Sequence, residues 1–149
     1  MRVALGADHA GVHLKDSVRS FLESRGIEVQ DAGTLDETSV DYPDYAAEVG
    51  QAVAGGTVDR GILVCGTGLG MAIAANKVDG VRAVPVVDPE SARLSREHND
   101  ANVLALGARL TAPDIALRIV ETFLDTPFAG GRHQRRLDKI AGLERDRHS

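Results

Sequence analysis

Along this chain, short apolar runs alternate with longer segments in which apolar residues recur every three or four positions. Val3-Ala4-Leu5, closed by Gly6, reads as a buried strand. Between Leu14 and Ser24, the residues Leu14, Val18, Phe21 and Leu22 fall on one face of a helix, and Gly26 sits where a C-terminal cap belongs. Ile27-Glu28-Val29 predicts a second strand, 31–43 a loop, and Tyr45 to Val53 a helix closed by Gly55-Gly56. Gly61 to Cys65 is the clearest buried strand, leading through Gly66-Thr67-Gly68-Leu69-Gly70 into a helix over Met71 to Asn76. Val81 to Val87 predicts a fourth strand, Ser91 to His98 a helix, Val103 to Leu106 a fifth strand and Ile115 to Leu124 a helix. Arg132 to Arg147 predicts a charged, amphipathic C-terminal helix, with residues 146–149 expected to fray.

Strands alternating with helices predict the α/β class, with a mainly parallel sheet covered on both faces and right-handed crossovers. Pro85 cannot donate to a ladder, so the fourth strand is expected at an edge or at a bulge. No repeat, low-complexity segment or linker interrupts residues 1–149, which read as one domain.

Composition narrows the function classes. A chain of 149 residues buries about 70% of the surface its unfolded form exposes, so it needs no disulfide or metal to build a core. Its net charge of −5 and 3% aromatic content argue against a nucleic-acid partner, which calls for a basic excess and stacking platforms. No apolar stretch reaches the ~18 residues of a membrane helix, and the N-terminal run is too short for a signal-peptide core, so no membrane association is expected. The single cysteine, Cys65, excludes an internal disulfide and fits a reducing, cytoplasmic compartment.

Open parallel sheets bind ligands beyond the carboxyl ends of their strands. Polar residues follow the predicted strands here: Gly6-Ala7-Asp8-His9-Ala10-Gly11 after the first, the glycine loop after the third, and Asp88 after the fourth. The helix that follows Asp88 finishes in His98-Asn99-Asp100. Closely spaced glycines let successive N–H groups turn toward an anion at a helix N-terminus, although a tight strand-to-helix turn has the same sequence. Met71 breaks the dinucleotide pattern G-x-G-x-x-G, and the Lys-Ser/Thr of a P-loop is missing. Cys65 is either a buried structural thiol or, beside a helix N-terminus, a base or nucleophile, with the Thr67 hydroxyl nearby. Asp8 can contact a substrate or cap a helix. His9 and His13 are four apart, but no third ligand accompanies them and no metal is expected. Arg132 and Arg136 share a helical face suited to a phosphate or simply to solvent, and Gly130-Gly131 ahead of them suggests a close approach at the helix start.

In this order and spacing, the segments Gly6 to Gly11, Asp41-Tyr42-Pro43, Cys65-Gly66-Thr67-Gly68, Ala74 to Lys77, Arg82-Ala83, Ser95 to Leu104 and Gly130 to Arg136 form a specific set. The chain resembles, from Val3 to about Glu144, the sugar-phosphate isomerase family that includes ribose-5-phosphate isomerase B and the allose- and galactose-phosphate isomerases. The resemblance implies a three-layer α/β/α, Rossmann-like domain with a five-stranded parallel sheet of order 2-1-3-5-4, which sets strand four at an edge. It implies no cofactor, and a homodimer, or a tetramer built from it, whose active sites draw on both chains.

Carried over by motif, Cys65 matches the catalytic base and His98 the residue that assists ring opening. Thr67 is cast as the hydroxyl that moves a proton between O1 and O2. Asp8, His9 and Tyr42 match sugar contacts, and Gly66, Gly68, Leu69 and Gly70 the backbone anion hole. Asn99, Arg109, Arg132 and Arg136 match substrate or phosphate contacts, with the C-terminal arginines facing the partner's site. Some members carry a serine at the position of Cys65 and a glutamate on the following helix; Leu69-Gly70-Met71-Ala72 offers no acid, so the cysteine variant is indicated. The implied activity is aldose–ketose isomerisation of ribose 5-phosphate and ribulose 5-phosphate through a cis-enediolate. Competing readings are a C4 or C6 sugar phosphate as substrate, or a non-enzymatic nucleotide-binding module in which Asp88 reads a ribose.

Overall fold

The computed structural model describes residues 1–149. Its elements are β1 (Arg2–Ala7), α1 (Val12–Ser24), β2 (Glu28–Asp31), α2 (Tyr42–Ala54), β3 (Arg60–Cys65), α3 (Leu69–Ala75), β4 (Ala83–Pro85), α4 (Pro89–Asn99), β5 (Val103–Gly107), α5 (Pro113–Asp125) and α6 (Arg132–Arg147). The strands form one parallel sheet of order β2-β1-β3-β5-β4.

The period-2 geometry of the strands divides the core. Val3, Leu5, Ala7, Ile62, Val64, Leu104 and Leu106 point into one apolar cluster, where they meet α1, α4 and α5. Ala4, Leu63, Cys65, Val103 and Ala105 point into the other, against α2 and α3. Both faces of the central strands are thus buried, which is why β3 and β5 read as continuous apolar runs. These clusters and the sheet between them make three layers.

Local sequence sets the helix ends. At the end of α1, Gly26 (φ 75°) donates to the Glu23 carbonyl while Ile27 donates to that of Leu22, a complete Schellman closure. At the end of α4, Asp100 takes a left-handed conformation (φ 45°), and the Arg96 guanidinium, almost wholly buried, donates to its carboxylate at 2.8 Å.

Three expectations need correction. The fourth strand spans only Ala83–Pro85, not Val81 to Val87: Val81 closes a turn onto Val78, the Arg82 amide donates to the Asn102 side chain, and Pro85 has no N–H to offer. Pro85 does lie on an edge strand. Residues 146–147 are not frayed, because α6 continues to Arg147, whose guanidinium donates to Asp79 at 3.2 Å; His148 also pairs with Asp79. Asp88 does not end the fourth strand. It is the N-cap of α4, accepting from the Ser91 amide at 2.7 Å, and that bond holds its carboxyl below the usual range.

Candidate active site

The carboxyl ends of β1 and β3 lie side by side, with Ala7 paired to Val64. The Asp8 turn and the Cys65 loop therefore share one crevice. Asp8 does not cap α1, whose N-cap is Gly11. Its Oδ1 instead accepts from the Ala10 and Gly11 amides at 3.0 and 3.2 Å, locking the turn. His9 Nδ1 accepts from the Val40 amide at 3.2 Å, an arrangement that leaves Nε2 as its proton-bearing nitrogen. His13 is exposed and engages Glu37 instead.

Cys65 is 5% exposed, and its Sγ accepts from the Gly68 amide at 3.1 Å. That amide can be presented because Gly68 adopts φ 80°, where a side chain would be strained, and a Cβ there would come within 3.0 Å of the Leu106 backbone. The loop amides are unevenly used. Gly68 and Leu69 donate to Sγ and to Thr67 Oγ1, whereas those of Gly66, Thr67, Gly70 and Met71 make no hydrogen bond within the chain. Four free donors beside a sulfur at the head of α3 are suited to a developing oxyanion.

Two neighbours complete this half. The Tyr42 ring packs on Gly70, where a Cβ would sit 2.6 Å from it. The Arg109 guanidinium lies over Gly66, 3.1 Å from where a Cβ would be, and its amide donates to the Gly66 carbonyl at 2.9 Å.

The remaining expected residues gather elsewhere. His98, Asn99, Arg132 and Arg136 line a cavity of about 360 Å³ together with His133, Leu137 and Ile140. His98 lies in the last turn of α4, which runs back from β4 to the start of β5, so the C-terminus of the helix lies at the amino end of the sheet. Arg82, the residue before β4, donates through Nε to the Asp100 carbonyl at 2.9 Å. This corrects the placing of 98–100 with the carboxyl-end loops: a helix between parallel strands must run opposite to them. Between the paired ends Gly61–Val103 and Cys65–Gly107 lie four strand steps, about 13 Å. Within one chain, Cys65 and His98 lie beyond opposite ends of the sheet.

Within the chain, Gly130-Gly131 approaches nothing closely. A Cβ on either would meet nothing within 4 Å, and both adopt positive φ, 68° and 58°, to turn the chain into α6. His133 carried no sequence-based role. Its ring stacks on His98 with centroids 4.4 Å apart and planes 18° from parallel. Desolvation, then the positive charges of His98, Arg132 and Arg136, push its pKa below the ordinary 6.5, against a smaller opposing effect of Glu97. The signal was its place one residue after Arg132 on the face that carries Arg136.

No group of three His, Cys, Asp or Glu side chains could hold a metal ion, and no helix is long and apolar enough to cross a membrane.

The chain is similar along nearly its whole length to characterised proteins. It is 50% identical over 147 residues to ribose-5-phosphate isomerase B of Escherichia coli strain K12, covering 99% of each chain. It superposes with a TM-score of 0.97, at 52% identity, on ribose-5-phosphate isomerase B of Clostridium thermocellum, covering 98% of this chain and 99% of that one. With ribose-5-phosphate isomerase B of Mycoplasma genitalium, solved with bound ribulose-5-phosphate, the TM-score is 0.93 at 42% identity, over 97% of this chain and 96% of that one. With its residues 3–140 matching the family defined as Ribose/Galactose Isomerase, and with relatives this close, the chain belongs to that family.

Proposed function

We propose that the chain interconverts ribose 5-phosphate and ribulose 5-phosphate through a cis-enediolate, with Cys65 as the base that moves a proton between C2 and C1. The observation that carries this reading is the Cys65 sulfur set among the free amides of Gly66, Thr67, Gly70 and Met71. Isomerisation builds negative charge on the former carbonyl oxygen, and preorganised N–H donors act most strongly where that charge appears. The base takes the C2 proton and returns it to C1, so one group within reach of both carbons is enough. Thr67, exposed at the mouth of the loop, carries the proton between O1 and O2. Asp8, with no protein donor on Oδ2, together with His9 and Tyr42, holds sugar hydroxyls.

The phosphate and ring-opening groups are His98, Asn99, Arg132 and Arg136, with Arg109 on the Cys65 side. Because the two groups of residues lie at opposite ends of one chain, the complete site takes Cys65 from one chain and His98 from a second. This is the homodimer with shared sites. A catalytic thiol of this kind suits a reducing, cytoplasmic compartment.

The test uses aldose phosphates of four, five and six carbons with exchange of the C2 proton followed directly. Cys65→Ala is expected to abolish turnover and exchange while sugar-phosphate binding persists. His98→Asn is expected to slow the ring-closed pentose phosphate more than an open-chain tetrose phosphate. Comparable turnover in folded Cys65→Ala removes the cysteine-base assignment, and preference for a C4 or C6 substrate moves the reading within the family.

A further inference from the structure

Helix α1 buries a charge that the chemistry above leaves unused. Lys15 is among the largest wholly buried side chains of the molecule, on a helix whose other buried residues are Val12, Leu14, Val18 and Leu22. Its ammonium group donates to both oxygens of Asp31, at the end of β2, and lies 3.4 Å from the exposed Asp16. A buried ion pair repays its desolvation poorly, and apolar side chains of similar volume often serve stability as well or better. Stability alone therefore gives no reason for a lysine at position 15.

The pair stands beneath the sugar-contact half of the site. Asp31 Oδ1 accepts from the Gly33 amide at 2.8 Å. The Ala7 amide donates to the Gly33 carbonyl at 2.6 Å, and the Thr34 amide donates to the Ala7 carbonyl at 2.8 Å, so Gly33 and Thr34 clasp the residue before Asp8. On its other side the Asp8 turn rests on β3. The Asp8 amide donates to the Val64 carbonyl at 3.2 Å, and a Cβ on Gly11 would come within 2.4 Å of that oxygen. From Gly33 the same segment runs on to Val40, whose amide donates to His9 Nδ1, and to Tyr42 at the start of α2.

We infer that Lys15 and Asp31 are positioning residues: through the Gly33 amide they set the place of Asp8 and the hydrogen-bonded state of His9. The inference rests on the reading of Asp8 and His9 as sugar contacts. Asp31 is the acting member. Lys15, with Arg19, keeps its carboxylate charged and turned toward Gly33.

Two double variants separate positioning from stability. Both remove the buried charges, and they differ in whether residue 31 accepts from the Gly33 amide. Lys15→Met with Asp31→Asn keeps an acceptor and is expected to hold kcat/KM within about threefold of the wild type. Lys15→Met with Asp31→Leu has none. It is expected to keep the wild-type far-UV spectrum and to lose at least about tenfold in kcat/KM for ribose 5-phosphate, mainly as a rise in KM, because sugar contacts act on bound substrate and transition state alike. Where the leucine chain does not fold, Lys15→Met with Asp31→Ala takes its place.

A second readout needs no turnover. The ring-nitrogen NMR signals of neutral His9 are expected to show the proton held on Nε2 in the wild type and the asparagine variant, and exchange between tautomers in the leucine variant. Equal kcat/KM in the two double variants, or His9 signals unmoved in the leucine variant, overturns the positioning role. A wild type without isomerase activity whose His9 signals divide as expected removes the functional reading and keeps the positioning of His9.

Discussion

Two imidazoles stacked at 4.4 Å between arginines form a site that disfavours a further positive charge. His133 accordingly has its pKa below 6.5 in the folded chain. For a base with a lowered folded pKa, the unfolded chain binds more protons in the window beneath 6.5. The stability this histidine contributes is therefore complete above that pH and lost as pH falls through the folded value. An anion between Arg132 and Arg136 would reverse the repulsion and raise the pKa. We expect a histidine-resolved NMR titration to give His133 a midpoint below 6.5, moving upward when inorganic phosphate is added. An unmoved midpoint in saturating phosphate would place the anion elsewhere. At this scale the glycine loop was legible in the sequence, since Gly68 takes the left-handed turn that presents its amide to Cys65 Sγ. For His133 the sequence offered only a place on the helical face of Arg136, because a stack depends on which residue another helix brings alongside.

Among the elements, the unusual one is α1, an amphipathic helix with a lysine in its buried face. Lys15 is 1% exposed and donates to both oxygens of Asp31 at 2.9 and 2.7 Å, while Arg19 donates to the same carboxylate at 3.1 Å. Asp31 also accepts from the Gly33 amide, and the Gly33 carbonyl accepts from Ala7, immediately before Asp8. The pair thus ties α1, the end of β2 and the Asp8 turn together. Burial pushes the Asp31 carboxyl up, but the bonds from Lys15, Gly33 and Arg19 outweigh it and hold the group below its ordinary value. The linked stability is present above about pH 4 and lost as pH falls through the folded pKa. Lys15→Met leaves a buried carboxylate with fewer donors and should cost about 3 kcal/mol, read by urea denaturation at pH 7, with an acid-unfolding midpoint shifted to higher pH. A change under 1 kcal/mol would mean that Arg19 and solvent satisfy Asp31 alone. The existence and order of the elements were legible because apolar period separates strand from helix. The extent of β4 was not, because the valines around Pro85 share strand chemistry while Asn102 and the turn at Val78 take the hydrogen bonds at its start.

At the scale of the whole molecule, the decisive fact is a direction: α4 runs against the strands, so the chain that bears Cys65 at one end of the sheet bears His98, Arg132 and Arg136 at the other. Alternation of strands and helices in the sequence contains that direction, but residue types named by motif do not, so a motif alone does not tell which end of the sheet holds residues 98–100. The arrangement makes a prediction that separates one-chain from two-chain sites. If Arg136 binds the phosphate as proposed, Arg136→Ala should lower kcat/KM by roughly tens- to a hundredfold, about 2–3 kcal/mol, chiefly through KM. Cys65→Ala should be nearly inactive by itself. In a mixed dimer of the two, a site built from both chains occurs in two forms. One carries both lesions, and the other combines an intact Cys65 with an intact Arg136. Mixed dimers should then regain up to half of wild-type activity per dimer, with the KM of the wild type. If each site lay within one chain, every site in the mixture would carry one lesion and activity would stay at the level of the parents. Subunit exchange, followed independently by mass-tagged chains, makes absence of recovery decisive against the shared site.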